Sequence, residues 1–100
     1  MAVTDANQPF VYILASGRNG TLYIGVTSHL ARRVFEHREG AIPGFTRRYR
    51  IRVLVYFEAH ETMGAAITRE RQMNDWRRAW KIRLIEKHNP DWRDLYDELG

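Results

Sequence analysis

Two short runs of strand-forming residues, separated by a cluster of turn formers, constrain the fold of this chain more than any other feature. The segments Phe10–Ala15 and Thr21–Thr27 are rich in β-branched and aromatic residues, and Ser16–Gly20 lies between them. Because Ser, Gly and Asn favour tight turns, the two runs are predicted to pair as an antiparallel hairpin. The chain is therefore expected to begin its fold with this hairpin.

The length of the turn sets the predicted register of the hairpin. A four-residue loop from Ser16 to Asn19 would place Tyr12 opposite Tyr23. Since side chains alternate between the faces of a sheet, the two tyrosines would share one face. The other face would carry the aliphatic residues Val11, Ile13, Leu22 and Ile24. Gly25, inside the second strand, is typical of a close approach to the backbone by a helix or a ligand.

The remainder of the sequence predicts one more strand and several helices. In chain order these are a helix from Thr27 or Ser28 to about Glu39, a loop at 40–50, a strand at 51–59, a helical region at 62–87 that breaks near 76–78, and a short turn or helix at 91–99. Asn89-Pro90 ends the helical region, because proline cannot continue a helix. We therefore predict an α+β fold: a small three-stranded antiparallel sheet flanked by helices, in the order β-β-α-β-α-α.

Length and composition exclude several classes of protein. One hundred residues, 44% hydrophobic and 28% charged, are enough for one core, so we expect a flexible tail at 1–9 and a single domain at 10–100. The absence of cysteine excludes a disulfide framework, a thiolate nucleophile and a Cys-bearing zinc site. No apolar run approaches the ~20 residues of a membrane span, and the N-terminus does not resemble a signal peptide, so a cytoplasmic location is expected. The net charge of +4 permits a polyanionic partner but is weak evidence for one.

The first predicted helix carries ionisable residues beside its apolar stripe. Leu30, Arg33, Val34 and His37 follow helical spacing and share one face. An arginine that snorkels and a histidine that hydrogen-bonds at the edge of the core would explain the pair structurally. A functional site explains it equally well.

The second helical region carries a carboxylate among apolar neighbours. Glu70 shares its helical stripe with Met63, Ala66, Ile67, Met73 and Trp76. Burial of an unpaired carboxylate is costly, so Glu70 should have a partner. That partner is either a cation, such as Arg33 or one near Arg69, or a hard metal ion. One carboxylate together with substrate phosphates suits Mg²⁺.

Basic residues concentrate in the predicted loop and around the helix break. The candidates for phosphate contacts are Arg47, Arg48, Arg50, Arg77, Arg78 and Lys81. Guanidinium groups bind phosphates bidentately, and Trp76 and Trp80, which lie among them, could stack on bases. A solvated basic surface and tryptophans in the core are the commoner explanations of such a pattern.

The residues that stand out resemble the GIY-YIG endonuclease superfamily, and in particular its small stand-alone bacterial members. The resemblance extends from Phe10 to about Leu95. It is carried by Phe10-Val11-Tyr12, Tyr23-Ile24-Gly25, Arg33, His37, Glu70 and Asn89. Gly44-Phe45-Thr46 and Asn89-Pro90-Asp91-Trp92-Arg93 look like signatures of the small subgroup. The first motif departs from the pattern, because Phe10-Val11 replaces Gly-Ile and only the tyrosine is retained.

The resemblance implies a metal-dependent endonuclease that hydrolyses phosphodiester bonds in nucleic acid, with DNA favoured over RNA. In the implied mechanism Tyr12 helps to deprotonate the attacking water, and Tyr23 orients the site or shares that role. Arg33 neutralises the transition-state phosphoryl oxygens, and His37 joins the hydrogen-bond network of water and phosphate. A free phenol with a pKa of ~10 is a poor base at neutral pH, so Arg33 and the metal would have to favour the phenolate.

The resemblance also assigns roles to two residues of the second helical region and its end. Glu70 would hold one Mg²⁺ or Mn²⁺ ion, and Asn89 would support the site through hydrogen bonds. Two alternatives stay open: a non-catalytic nucleic-acid-binding module on the same fold, and a protein-interaction domain in which Glu70 and Arg33 form a structural ion pair. Retention of every predicted catalytic residue favours the enzyme.

Overall fold

The computed structural model describes residues 8–99, so most of the predicted tail, residues 1–7, lies outside the described residues. Gln8 and Pro9 are bound to the body of the fold. Gln8 Nε2 donates to the carbonyl oxygen of His60 over 2.8 Å, and the His60 amide donates to the carbonyl of Pro9 over 2.9 Å. These two residues, which the sequence places in the tail, therefore contact the segment that follows the third strand.

The observed elements follow the predicted order, with one addition. They are β1 (Phe10–Ala15), β2 (Leu22–Thr27), α1 (Leu30–Arg38), α2 (Phe45–Arg48), β3 (Val53–Ala59), α3 (Met63–Asn74), α4 (Arg78–His88) and a short 3₁₀ helix (Leu95–Leu99). The addition is α2, a helical turn inside the segment predicted as a loop. The α+β class and the β-β-α-β-α-α order of the main elements are confirmed.

The strand β1 lies at the centre of an antiparallel sheet with the order β2-β1-β3, and all six of its residues are buried. Helices α3 and α4 cover one face of the sheet, whereas α1 and the C-terminal 3₁₀ helix cover the other. The first face packs Val11, Ile13, Ile24 and Val55 against Ala66, Met73 and Ile85. The second packs Tyr12, Leu14 and Leu54 against Leu30, Val34 and Leu99. Each face thus has its own core cluster.

The register of the hairpin differs from the predicted one by two residues. Tyr12 lies opposite Gly25, and Tyr23 lies opposite Leu14. The predicted position of the four-residue loop is wrong by one residue: the Ser16 amide donates to the carbonyl of Thr21 over 3.0 Å, so the turn lies at 17–20 instead of 16–19. A slip of two positions keeps every side chain on its face, so the two tyrosines still share one surface.

Two element boundaries also differ from the prediction. Helix α1 begins at Leu30, because Thr27 Oγ1 accepts a hydrogen bond from the His29 amide over 3.0 Å and forms a local turn ahead of the helix. Strand β3 begins at Val53, two residues later than predicted. The predicted break between α3 and α4 is confirmed. None of the helices within residues 8–99 combines the length and apolarity needed to cross a lipid bilayer.

Candidate active site

A buried tyrosine and a buried histidine form the centre of the candidate site. Tyr12 Oη lies 3.2 Å from His37 Nε2, and the two residues are 1% and 3% exposed. On the other side of the imidazole, Nδ1 lies 2.9 Å from Thr46 Oγ1. When Nδ1 donates to Thr46, Nε2 is the acceptor that faces the phenolic proton of Tyr12. The ring of His37 is thus held through both nitrogens, between β1 and α2.

Tyr23 completes an aromatic cluster with these two residues. Its ring centroid lies 6.3 Å from that of Tyr12 and 5.6 Å from that of His37. Unlike Tyr12, Tyr23 is only partly buried, so its side chain is accessible to solvent. The structure therefore brings together three of the predicted catalytic residues, one of them at the surface.

Gly25 makes room for the ring of Tyr12. A Cβ atom at residue 25 would lie 2.5 Å from Tyr12 Oη and 2.6 Å from Cζ, closer than real Cβ atoms come to such groups. The observed register explains this contact, because Gly25 is the cross-strand partner of Tyr12. A close approach exists at this glycine, but the approaching group is the ring of Tyr12 on β1 and not the predicted helix or ligand.

Burial controls the protonation of the central pair. It is the largest cause that raises the pKa of Tyr12 far above its usual value; Tyr23 raises this pKa further, whereas Arg33 opposes the shift. Burial also lowers the pKa of His37, and Arg33 acts in the same direction. At neutral pH the phenol therefore keeps its proton and the imidazole is uncharged. Arg33 favours the phenolate, as predicted, but burial outweighs it.

We expect the stability of the protein to fall on acidification in a way that depends on His37. The pKa of His37 is lower in the folded state than the ~6.5 of an unfolded histidine. The folded state therefore binds fewer protons at acidic pH, so this contribution to stability is complete above pH ~6.5 and is lost as the pH falls through the folded pKa. Melting temperatures measured from pH 8 to pH 5 should fall less steeply for His37→Gln than for the wild type. Equal slopes for His37→Gln and the wild type would contradict the prediction.

Arg33 borders the aromatic cluster on a half-exposed side of α1. Its Nε lies 3.5 Å from Glu36 Oε1, one turn along the same helix. Such surface pairs contribute about 0–1 kcal/mol, so this contact does not hold the guanidinium firmly. The ion pair between Arg33 and Glu70 that a structural explanation requires is not formed among residues 8–99.

Glu70 lies on α3 and is half-buried, with Asn74 as its hydrogen-bond partner. Asn74 Nδ2 donates to Glu70 Oε2, and no cation lies within salt-bridge distance of Glu70 in the described part of the chain. Arg69, near which a partner was predicted, instead pairs with Glu58 over 2.9 Å. Of the two predicted partners, the side-chain cation is not found, because the carboxylate reaches solvent; the metal ion stays a prediction.

The donor set around Glu70 fits one kind of metal ion. No group of three or more His, Asp or Glu side chains that could enclose an ion occurs within residues 8–99. Mg²⁺ often binds through one or two carboxylates and completes its shell with water and substrate phosphate. Glu70 Oε1, which accepts no hydrogen bond from another described residue, fits that mode. The residues are therefore compatible with a single ion shared with a substrate.

Asn89 is buried, and its side-chain hydrogen bonds are to the backbone of Val55 and Arg93 instead of to the other candidate site residues. Its Nδ2 donates to the carbonyl oxygens of Val55 and Arg93 over 3.1 and 2.9 Å, and its Oδ1 accepts from the Arg93 amide over 3.0 Å. These bonds fasten the end of α4 to β3 and to the C-terminal segment. Its supporting role at the site stays a prediction.

The predicted phosphate-binding residues form two surface groups. Arg47, Arg48 and Arg50 lie on α2 and directly after it, whereas Arg77, Arg78 and Lys81 lie at the start of α4. One Arg78 nitrogen donates to the carbonyls of Asn19 and Gly20, each over 2.7 Å, which ties α4 to the hairpin turn. The α2 group is next to Thr46 and hence close to His37.

Thr46 is the site residue that sequence reasoning missed as a functional residue. It lies in the predicted loop, where no periodicity indicates which side chains point inward. Gly44 has a φ of 111°, a conformation that favours glycine, and α2 begins immediately after it. This turn buries Thr46 against His37. The only signal for Thr46 in the sequence is its place in the Gly44-Phe45-Thr46 motif.

Comparison with known proteins assigns the chain to a family. Residues 8–83 match the model of the GIY-YIG catalytic domain, and the chain belongs to this family. It is homologous to small UPF0213 proteins: one from Haloquadratum walsbyi is 36% identical over 78 residues, which cover 78% of this chain and 86% of the relative. Another, from Staphylococcus aureus strain Mu3, is 36% identical over 78 residues, with 78% and 94% covered. No solved structure matches the chain. Asn89 lies beyond the matched segment.

Proposed function

We propose that this protein is a divalent-metal-dependent endonuclease that hydrolyses phosphodiester bonds in nucleic acid, with DNA the favoured substrate. The observation that carries the proposal is the contact between Tyr12 Oη and His37 Nε2 beneath the accessible ring of Tyr23, within a GIY-YIG domain. A buried network of hydrogen-bonded polar side chains destabilises a core unless every member is satisfied. Apolar residues would fill the same space without that requirement, so proton transfer explains the network of Tyr12, His37 and Thr46 better than packing does.

Tyr12 and His37 act together as the proton acceptor in this proposal. The raised pKa of Tyr12 means that a free phenolate is scarce at neutral pH. The neutral His37 accepts the phenolic proton at Nε2 while Tyr12 Oη takes a proton from the attacking water, so the phenol stays neutral and the imidazole becomes a transient cation against its lowered pKa. We assign to Tyr23 the orientation of that water.

Two positive groups would balance the negative charge on the phosphate: the Arg33 guanidinium and a metal ion held by Glu70. Arg33 donates to the phosphoryl oxygens as negative charge develops there, since its weak contact with Glu36 is easily exchanged for a phosphate. Glu70 would hold the single Mg²⁺ or Mn²⁺ ion, which when bound stabilises the leaving oxygen as a Lewis acid. Asn89 would support the arrangement by keeping α4 and β3 together.

A non-catalytic nucleic-acid-binding module is the second candidate. The two exposed arginine groups favour it, because phosphate contacts alone supply most of the affinity in non-specific binding. The protein-interaction alternative is weaker, since the ion pair between Arg33 and Glu70 on which it depends is not formed in the described part of the chain.

A cleavage assay tests the proposal. Purified protein is incubated with end-labelled single-stranded, duplex and branched DNA and RNA, once with Mg²⁺ and once with EDTA. Internal cleavage that requires Mg²⁺ is expected. Tyr12→Phe, which keeps the ring in the core but lacks the hydroxyl, serves as the control for contaminating nucleases. Binding to these substrates without cleavage of any of them would favour the second candidate.

Replacement of Arg33 by lysine should reduce cleavage about tenfold or more while the fold is kept. Lysine retains the charge but lacks the planar fork that matches a phosphate, and the lost pair with Glu36 is worth little. Arg32→Lys is a matched control, because Arg32 is a neighbouring exposed arginine that pairs with the same Glu36 over 3.9 Å. The turnover rates and melting temperatures of Arg33→Lys and Arg32→Lys are compared with those of the wild type. Equal activity of both would remove Arg33 from the mechanism.

A further inference from the structure

The surface beside the candidate site carries two exposed aromatic rings. Phe45 and Tyr49 are 50% and 49% exposed, and their ring centroids lie 4.9 Å apart. Together with Pro43, Gly44, Arg47 and Arg48 they line an open groove of about 560 Å³. Large apolar rings at a surface are common singly, but an adjacent pair in a groove indicates a binding surface.

The helix α2 joins this groove to the candidate active site. Phe45 and Tyr49 are four residues apart and share one side of the helical turn. Thr46, the next residue after Phe45, turns inward and contacts His37. The groove and the Tyr12 and His37 pair are therefore joined through adjacent residues of one helical turn.

The charge of the groove selects the type of ligand. Arg47 and Arg48 line it, and the guanidinium carbon of Arg48 lies 5.5 Å from the centroid of the Tyr49 ring. Neither arginine forms a salt bridge within residues 8–99, and the lining contains no acidic residue. A ligand with flat apolar rings and repeated negative charges complements this surface. Single-stranded nucleic acid has that chemistry.

We propose that Phe45 and Tyr49 stack on unpaired bases of the substrate while Arg47 and Arg48 contact its phosphates. The inference rests on the proposed nuclease function and adds the substrate class: nucleic acid with a single-stranded segment beside the bond to be cut. In a duplex each base face is covered by its neighbours, so only unpaired bases can stack on a side chain. A uniform duplex therefore uses the arginines but not the rings.

A second aromatic surface is an alternative binding site that the experiment must distinguish from the first. Trp80 is exposed beside Trp76, Arg83 and Lys87 in a groove of about 380 Å³. Trp76 packs against the core cluster on the face opposite Tyr12 and His37. This groove thus offers similar chemistry on the face of the sheet opposite the Tyr12 and His37 pair.

Binding measured without metal tests the proposal separately from cleavage. Fluorescence anisotropy in EDTA compares a labelled oligothymidylate with a blunt duplex of the same length. The wild type should bind the single strand more tightly. Phe45→Ala and Tyr49→Ala should each weaken single-strand binding about fivefold or more, the scale of one lost stacked base, with duplex binding unchanged. Tyr49→Phe keeps the ring and should bind like the wild type.

The matched control is Phe35→Ala. Phe35, on α1, is 49% exposed and contributes nothing to the groove, so its removal should leave single-strand binding unchanged. Equal binding of both ligands by the wild type would overturn the proposal. Wild-type affinity in both Phe45→Ala and Tyr49→Ala would also overturn it, as would a loss seen only in Trp80→Ala.

The outcomes separate this inference from the nuclease proposal. A preference for the single strand that depends on the two rings, combined with no cleavage under any condition, would support base stacking in the groove and contradict the nuclease proposal. Mg²⁺-dependent cleavage with unchanged binding in the alanine variants would support the nuclease proposal and contradict base stacking in the groove. Both rings are half-exposed, so melting temperatures near that of the wild type are expected and confirm that the variants fold.

Discussion

A Glu70→Gln variant is expected to cleave nucleic acid about 10²-fold or more slowly than the wild type and to melt within a few degrees of it. Glutamine keeps the shape of the side chain but removes the charge that would hold Mg²⁺, and the loss of one well-placed electrostatic group has this magnitude. Stability should change little, because Glu70 is half-buried and its partner is the uncharged amide of Asn74. No cation within residues 8–99 pairs with Glu70, so the large cost of breaking a buried ion pair is not expected.

The Glu70 experiment needs three measurements on the same protein samples: Mg²⁺-dependent cleavage, binding in EDTA and melting temperature. Binding should survive or tighten, since a negative charge near the phosphate is removed. Asp75→Asn, an exposed acid just beyond the end of the same helix, controls for the loss of a charge and should keep activity. Full activity of Glu70→Gln would show that Glu70 does not hold the ion. Early melting of Glu70→Gln, beside a wild type without metal-dependent cleavage, would return Glu70 to a structural role.

A Gly25→Ala variant should lose both stability and cleavage, through Tyr12. An added methyl group would lie 2.5 Å from Tyr12 Oη, and the ring cannot move freely because it is fully buried. Overpacking of this kind costs about 1–3 kcal/mol, which outweighs the ~0.5–1 kcal/mol that alanine usually contributes over glycine in a strand. Any relief moves the phenol relative to His37. A displacement near 1 Å can lower the rate by about 10²-fold.

A double-mutant cycle checks this explanation of the glycine. Tyr12→Leu removes both the hydroxyl and the ring atoms that the new methyl group meets, so Gly25→Ala should destabilise a Tyr12→Leu background less than the wild type. Gly17→Ala is the matched control, because a Cβ there has no neighbour within 4 Å. If Gly25→Ala is as stable and as active as the wild type, the contact with Tyr12 does not constrain the site.

The hairpin shows how far local patterns predict this fold. Alternation assigned Tyr12 and Tyr23 to one face, and the structure agrees, because alternation depends only on whether positions are odd or even. The register was wrong by two residues, since a slip of two leaves the alternation unchanged. Only the position of the turn closed by Ser16 and Thr21 decides between the two registers, and that position is not encoded in the strands.

The sequence by itself determined the elements of this protein and the chemical types at its candidate site. Turn formers, alternation and the Asn89-Pro90 stop act locally, so the strand order along the chain, the shared tyrosine face and the helix break could be derived without coordinates. Arg33 and His37 could be singled out because each is an ionisable residue beside an apolar helical stripe, whereas Tyr12 is an ordinary strand aromatic that only the family resemblance singled out.

Only the tertiary structure decided how these residues act on one another. His37 lies 25 residues from Tyr12 and 9 from Thr46 along the chain, and no local rule joins them. Arg33 by itself predicts a phenol that ionises more easily, yet packing removes Tyr12 from water and moves its pKa in the opposite direction. Desolvation depends on every atom around a group, so its balance against a neighbouring charge exists only once β1, β2 and α1 are assembled.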